Sequence, residues 1–322
     1  LKYNMGIKNL NRYLQQQCTE GIKKISLNDL RGKKIAIDTS IYLYRFVGEN
    51  ALLENFYLMI SIFREYNIIP LFVFDGKPPK EKNELLKKRR DDKKIAQNKY
   101  NELKDKLDAG NETNIKEIKE IKENMEILKK DFIKVHHTDI ENVKELIKAL
   151  GVSYIEAPGE ADKLCAKLVC KNNVYACLSE DMDLFVYGTT RVLRYLSLLN
   201  KTVIMYDTKS ILSQLNLTLD EFKSICIISG TDYETPTDNS LFKTLKYFKK
   251  YKKSDKFDFY EWLDENTNYV DNIYNLYGVI SLFNLGNMPE YKDFEKIRIM
   301  NSPINESILK NIMEKEDFIF VN

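Results

Sequence analysis

Three short runs of consecutive apolar residues in this chain each end at aspartate. Lys34-Ile35-Ala36-Ile37 runs into Asp38, Leu71-Phe72-Val73-Phe74 into Asp75, and Val174-Tyr175-Ala176-Cys177-Leu178 into Ser179-Glu180-Asp181-Met182-Asp183. Continuous apolar runs of this length, separated by segments of helical periodicity, mark strands buried on both faces, as in a parallel sheet. Residues 39–66 carry apolar positions at helical spacing and lead back to the second run, so the spacing predicts a helix and a βαβ unit. Pro78-Pro79 then breaks the chain. A charged helical pattern follows over residues 80–107 and stops at Ala109-Gly110, and a second helix sets Ile118, Ile121, Met125, Leu128 and Phe132 along one face. One narrow apolar stripe on two charge-rich helices predicts an insertion standing off the core.

Strand and helix alternation then resumes. Thr138-Asp139-Ile140-Glu141 is the pattern of a helix start, with Gly151 as its stop. Residues 152–156 read as a short strand, Pro158 suits the first turn of the next helix, and residues 191–196 and 202–206 read as a terminal hairpin. From Leu219 onward the pattern is helical. The fold class is therefore α/β, with a central, mostly parallel sheet flanked by helices. Four stretches follow: 5–109, 110–135 (the second inserted helix), 136–235 completing the same domain, and a helical region over 236–322.

Lys plus Arg is 50 against 48 for Asp plus Glu, so the total charge identifies no partner. Its distribution says more: residues 80–94 hold eight basic side chains against four acidic, and residues 243–256 hold seven lysines against one aspartate. The five cysteines lack any C-x-x-C pair and read as reduced thiols, not a zinc site or disulfide frame. With no apolar run of membrane-spanning length and no signal-like start, an intracellular protein is expected. Met5-Gly6 reads as the natural start, leaving residues 1–4 as a vector remnant or upstream reading frame.

In open parallel sheets ligands bind beyond the carboxyl ends of the strands, so Asp38, Asp75, Asp181 and Asp183 are expected to converge. Glu160 and Asp162 lie at the start of a helix that follows a strand, and Asp232 lies where a helix should end at a Gly turn. Singly, each suits an ordinary helix cap. Seven together, with no matching set of basic residues beside them, predict a cation site, since like charges at close range cannot all remain ionised unaided. With no His or Cys among them, Mg²⁺ or Mn²⁺ is the natural candidate. Lys82 and Arg89 are two helical turns apart, about 10 Å of rise, and project from one face.

Met5-Gly6-Ile7-Lys8-Asn9-Leu10, Ile37-Asp38-Thr39-Ser40, Val73-Phe74-Asp75-Gly76-Lys77-Pro78-Pro79, Glu156-Ala157-Pro158-Gly159-Glu160-Ala161, Glu180-Asp181-Met182-Asp183 and Ser229-Gly230-Thr231-Asp232-Tyr233 together resemble the flap endonuclease family. These are structure-specific 5′-nucleases that include the xeroderma pigmentosum group G nuclease. The resemblance implies a PIN/5′-nuclease-like fold with a helical arch, and hydrolysis of DNA phosphodiesters with two divalent metals. It implies that Asp38, Asp75, Glu160 and Asp162 serve the first metal, directly or through water, and Asp181, Asp183 and Asp232 the second. It also implies that Lys82 and Arg89 reach the scissile phosphate, that Tyr44 stacks on a substrate base, and that the Gly6 backbone approaches phosphates. His136 and His137 lie outside every motif and are expected to be structural, since two-metal hydrolysis needs no imidazole.

Two departures from the family pattern stand out. No glycine occurs between Gly230 and Gly278, where the family has a Gly-rich helix–two-turn–helix that binds potassium and duplex DNA. In its place Asn239-Ser240 can cap a helix with Leu241, Leu245 and Phe248 inward and Lys243, Lys246, Lys249, Lys250, Lys252 and Lys253 outward, a surface for duplex phosphates. The link from Asp38 to Asp75 is also short for the family, leaving little room for the wedge that bends the duplex and pockets a 3′ flap. Residues 316–322 lack a sliding-clamp peptide pattern and are expected to pack on the domain. The expectation is a monomeric Mg²⁺-dependent nuclease acting on branched or flapped DNA in replication, repair or recombination, nuclear in a eukaryote or at cytoplasmic replication sites for a virus. A 5′ exonuclease, a junction resolvase, or a DNA-binding relative with a dead site are the alternatives.

Overall fold

The structure, a computed structural model, describes residues 6–108, 115–233, 240–256, 258–270, 272–286, 294, 296–315 and 318. Among these, seven strands form one sheet: β1 (Ile22–Ser26), β2 (Lys34–Asp38), β3 (Ile69–Phe74), β4 (Ser153–Glu156), β5 (Ala176–Leu178), β6 (Arg191–Ser197) and β7 (Thr202–Asp207), in the order β1-β7-β6-β5-β2-β3-β4. Only β7 runs antiparallel to its neighbours; β6, β5, β2, β3 and β4 are parallel in sequence across the sheet. The mostly parallel sheet is as expected. β1 was not foreseen, because its Ile-Lys-Lys-Ile-Ser sequence has two half-buried isoleucines and no apolar run, as an edge strand permits.

Alternation along the strands divides the core into two layers. Ile35, Ile37, Phe72, Phe74, Ala176 and Leu178 face one cluster, and Ala36, Leu71, Val73 and Cys177 face the other. The first layer receives α2 (Thr39–Gly48) and α3 (Leu52–Glu65). These correct the single helix expected over residues 39–66: the chain breaks at Asn50, whose φ is +52°. Both helices nevertheless bury residues in one cluster, which preserved the helical period.

Pro78-Pro79 leads through a short 3₁₀ turn at Lys80–Lys82 into α4 (Asn83–Asp108), which pairs with α5 (Ile115–Asp131). The expected stop at Ala109-Gly110 lies outside the described residues. Only Ala96 of α4 is buried; at the base Tyr100 meets Phe132 at 5.3 Å and Lys93 Nζ donates to the Ile133 carbonyl at 3.0 Å. The two charged helices thus stand off the sheet. Next, α6 (His137–Ala149) begins with the His136 N–H donating to Asp139 at 2.7 Å, so His136 serves a helix end. Then α7 (Ala161–Cys170) starts three residues later than the Pro158 expectation. The reason is that the Ala157 N–H is tied to the Phe74 carbonyl and the Gly159 carbonyl to the Gly76 N–H, holding this stretch extended.

The chain's first helix, α1 (Leu10–Gln17), packs with α7, α8 (Asp183–Val186), α9 (Thr208–Leu215) and α10 (Leu219–Ile228) on the other face. The helices α11 (Leu241–Tyr251), α12 (Phe259–Asn266) and α13 (Ile273–Leu282) join that layer through Leu241, Phe248, Phe259, Leu263 and Phe283. Residues 300–305 then cross to the far edge. The Ser302 N–H donates to the Gly151 carbonyl at 2.7 Å, the Asn305 N–H to the Ala149 carbonyl at 2.8 Å, and the Ser153 hydroxyl to the Met300 carbonyl at 3.3 Å, strapping the segment beside β4. Finally α14 (Glu306–Glu314) buries Leu309, Ile312 and Met313 in the α3 layer.

Candidate active site

Strand order reverses between β2 and β5: from β2 the chain proceeds outward through β3 and β4, then returns to place β5 on the other side. Such a switch point opens a crevice beyond the carboxyl ends of the strands. Asp38 ends β2, Asp75 follows β3, Asp181 and Asp183 follow β5, and Glu160 and Asp162 open α7 after β4. Topology alone therefore assembles six of the seven expected carboxylates, and Asp232 joins them after α10 through its contacts with Lys82 and Arg89.

Not all of these side chains act as helix caps. Asp38 and Glu160 occupy N-cap positions of α2 and α7 without a side-chain cap bond. Asp38 instead accepts the Ser179 hydroxyl at 3.0 Å, while Asp75 accepts the Ala161 N–H at 2.8 Å and the Ser40 hydroxyl. Asp181 accepts the Asp183 N–H at 2.9 Å. Asp183 is 1% exposed, and its Oδ1 is buried without a hydrogen-bond partner. Burial, reinforced by neighbouring negative charge, lifts the pKa values well above the usual carboxylate range: Asp75 and Asp181 act on Asp38, Glu160 acts on Asp162, and Asp181 and Asp232 act on Asp183. Asp181 is raised too, by burial and by Asp232.

Contrary to expectation, basic residues do stand beside these acids across a large sequence separation, Arg89 from α4 and Lys82 from the 3₁₀ turn before it, so the two do not share one helix as the spacing predicted. Lys82 Nζ lies 2.6 Å from Glu160 Oε1 and 4.0 Å from Asp232 Oδ2, and Arg89 Nη2 donates to Asp232 Oδ2 at 2.8 Å. Burial alone would push the Lys82 ammonium down; the charges of Asp162 and Glu160 outweigh it and hold the pKa above its ordinary value. Glu180, in the same acidic run, is turned to Arg194, whose Nη2 donates to the Glu180 carbonyl at 2.8 Å. Sequence reading assigned no role to Ser40, Ser179, Arg194 or Tyr233. Their signal was adjacency: Ser40, Ser179 and Tyr233 stand within two residues of an expected ligand, whereas Arg194 is brought in by β6 pairing with β5.

Gly6 has φ +74°, and a Cβ there would lie 2.5 Å from Asp183 Oδ1 and 3.0 Å from Asp181 Oδ1, so the residue sits against the acidic floor. Tyr44 is 38% exposed, with Lys93 Nζ 4.8 Å over its ring, and so is not a core aromatic. On α11, Leu241 and Phe248 are buried and Lys243, Lys246, Lys249 and Lys250 are exposed, as are Lys252 and Lys253 just past its end. Lys252 is engaged by Glu221 at 2.7 Å, which removes it from the free set. Ser240 caps the helix; Asn239 lies outside the described residues, as does most of the tail, of which Phe318 packs on Tyr57 at 5.2 Å.

Among the described residues, no three His, Cys, Asp or Glu side chains are gathered as ligands of one ion. The acids share one end of the sheet without closing on a point, and Lys82 and Arg89 hold two of them. The donor set nonetheless fits a hard divalent cation: all oxygen, with Asp38, Asp162 and Asp183 buried, mutually repulsive, and with an unpartnered Asp183 oxygen.

The XPG N-terminal domain matches residues 5–96 and the XPG I-region residues 151–232, together more than half of the chain. The chain is 35% identical over 249 residues to flap endonuclease 1-A of Sorghum bicolor, covering 71% of this chain and 62% of that protein. It is 33% identical over 248 residues to flap endonuclease 1 of Nematostella vectensis, with the same coverage of 71% and 62%. The chain thus spans about three fifths of the length of these curated relatives. The fold is that of the catalytic core of Rad2 in complex with DNA substrate (TM-score 0.67, 20% identity, 96% of this chain and 95% of that one). It is likewise that of human GEN1 in complex with Holliday junction DNA (TM-score 0.58, 20% identity, 97% and 74%).

Proposed function

From the premise that the chain belongs to the flap endonuclease/XPG family, we propose that it is a structure-specific 5′-nuclease. It hydrolyses DNA phosphodiesters at 5′ flaps with two Mg²⁺ ions, a role Mn²⁺ can fill. The observation that carries this reading is the meeting of seven carboxylates at one sheet end with two cations, Lys82 from the 3₁₀ turn before α4 and Arg89 from α4 itself. A binding module would gain nothing from so much self-repelling buried charge.

Asp38, Asp75, Glu160 and Asp162 would hold one ion, directly or through water, and Asp181, Asp183 and Asp232 the other. Two ions held there supply a more acidic attacking water and neutralise charge that builds on phosphorus and on the leaving 3′-oxygen. Arg89, with its side chain 38% exposed, is free to exchange Asp232 for a phosphate oxygen, whereas Lys82, 8% exposed, is fixed in place before substrate arrives. Preorganised donors of this kind act where charge develops. Tyr44, at the foot of the inserted helices, offers a ring on which a base of the 5′ strand can stack, and Gly6 lets backbone approach the phosphates. The exposed α11 lysines would hold duplex phosphates.

The deciding experiment is a labelled panel of 5′-flap, nicked, blunt and four-way DNA with Mg²⁺. Cleavage concentrated at the flap junction is expected. Paired symmetric cuts on the four-way substrate would identify a junction resolvase, stepwise release from blunt ends a 5′ exonuclease, and binding without cleavage a dead site.

A further inference from the structure

We propose that Tyr233 is a positioning residue that sets the Lys82 ammonium in the active site and ties that setting to the C-terminal helices, a role that rests on the nuclease reading. Tyr233 is 9% exposed and donates its hydroxyl to Glu160 Oε2 at 2.5 Å, while Lys82 takes the other oxygen of the same carboxylate at 2.6 Å. Lys82 Nζ also lies 4.7 Å over the centroid of the Tyr233 ring. The ammonium is thereby boxed by the Glu160 carboxylate, the more distant Asp232 at 4.0 Å and an aromatic face. A lysine on its own is a flexible point charge with four rotatable bonds. Here a charge-assisted hydrogen bond and a buried cation–π contact fix it before substrate binds.

The ring is itself held. Phe283, directly after α13, meets it edge-on at 5.3 Å and 89°, and packs on Tyr187 at 5.0 Å; the Tyr187 hydroxyl is 3.5 Å from that of Tyr233. Residues from β5–α8, from α10's end and from the C-terminal helices thus meet at the ring over which the ammonium lies. A tyrosine that only filled the core would not present its ring to a buried cation bonded to its own hydrogen-bond acceptor. A displacement of about 1 Å in such a group is enough to cost two orders of magnitude in rate.

Tyr233→Phe keeps the ring and its Phe283 contact but lets Glu160 turn; Tyr233→Leu removes both. Single-turnover cleavage of a 5′-flap substrate should fall about tenfold in the first and about a hundredfold in the second, with DNA affinity measured in Ca²⁺ unchanged. In a Lys82→Ala background, Tyr233→Leu should cost less than twofold, the non-additivity of two residues acting as a unit. A second readout uses neither DNA nor metal: reductive methylation of Lys82, followed by mass spectrometry with Lys249 as internal reference, should be at least fivefold faster in Tyr233→Leu than in wild type. Losses that multiply in the double variant, or an unchanged Lys82 labelling rate, overturn the proposal. If Tyr233→Leu fails to fold, Tyr233→Phe decides by the same criteria at half the expected labelling gain. Should the wild-type chain cut no flap, the nuclease reading falls and the labelling arm alone judges the hold of Tyr233 on Lys82.

Discussion

At Gly6 the backbone is left-handed, and the nearest atom to a hypothetical Cβ is a carboxylate oxygen of Asp183. Gly6→Ala therefore combines a backbone cost of about 1–2 kcal/mol with a collision against the acidic floor. Single-turnover activity should fall at least tenfold, and the melting temperature by roughly 2–4 °C for each 1 kcal/mol of that cost; equal activity would place the N-terminal segment away from the reaction. Asp183 makes the opposite trade. Its raised pKa means that the folded state penalises the ionised form, so in metal-free buffer stability increases as pH falls through that folded value toward the unfolded one near 3.8. Asp183→Asn removes the penalty at neutral pH. Its melting temperature without divalent ions should exceed wild type by roughly 2–4 °C for each 1 kcal/mol relieved, while cleavage is lost. A lower melting temperature would show that the carboxylate is better accommodated than burial and its neighbours imply.

Among the elements, strand and site were legible together where burial is nearly complete. β2, β3 and β5 are apolar on both faces and end in acids, so both strand and site residue could be read together. What escaped was set by partners distant in the chain: β1 is recruited by β7, α7 is delayed by bonds to β3 and Gly76, and the Lys82–Glu160 and Arg89–Asp232 pairs span an insertion. The acids were legible one by one, but the cations that offset them were not. Lys82→Ala and Arg89→Ala should each slow single-turnover cleavage by two or more orders of magnitude, since a preorganised donor is worth about 3–4 kcal/mol in the transition state. A loss confined to affinity would make the helix only a binding face. On α11, removing Lys246, Lys249, Lys250 and Lys253 together should flatten the salt dependence of duplex binding by about 0.9 for each phosphate no longer neutralised. Lys252→Ala alone should leave the slope unchanged, because that side chain is committed to Glu221.

For the whole molecule, metal and fold are linked. An ion that binds the folded acids and not the unfolded chain stabilises by mass action, so Mg²⁺ at 100 times its dissociation constant should add about 2.7 kcal/mol. That increment should shrink in an Asp181→Ala Asp183→Ala double variant, which leaves only the ion at Asp38, Asp75, Glu160 and Asp162, and an undiminished increment would place the second ion elsewhere. The strap of residues 300–305 has a different reach. β4 receives Met300 from 147 residues further along the chain. At synthesis rates of roughly 5–20 residues per second, the open flank of β4 waits about 7–30 s on the ribosome before its cover exists. For that interval the nascent chain carries the hazard of an unpaired sheet edge. Crowded polysomes and fast translation are thus the conditions under which this nuclease-like chain would most need a chaperone, and a chain halted before residue 300 would carry that need throughout its lifetime.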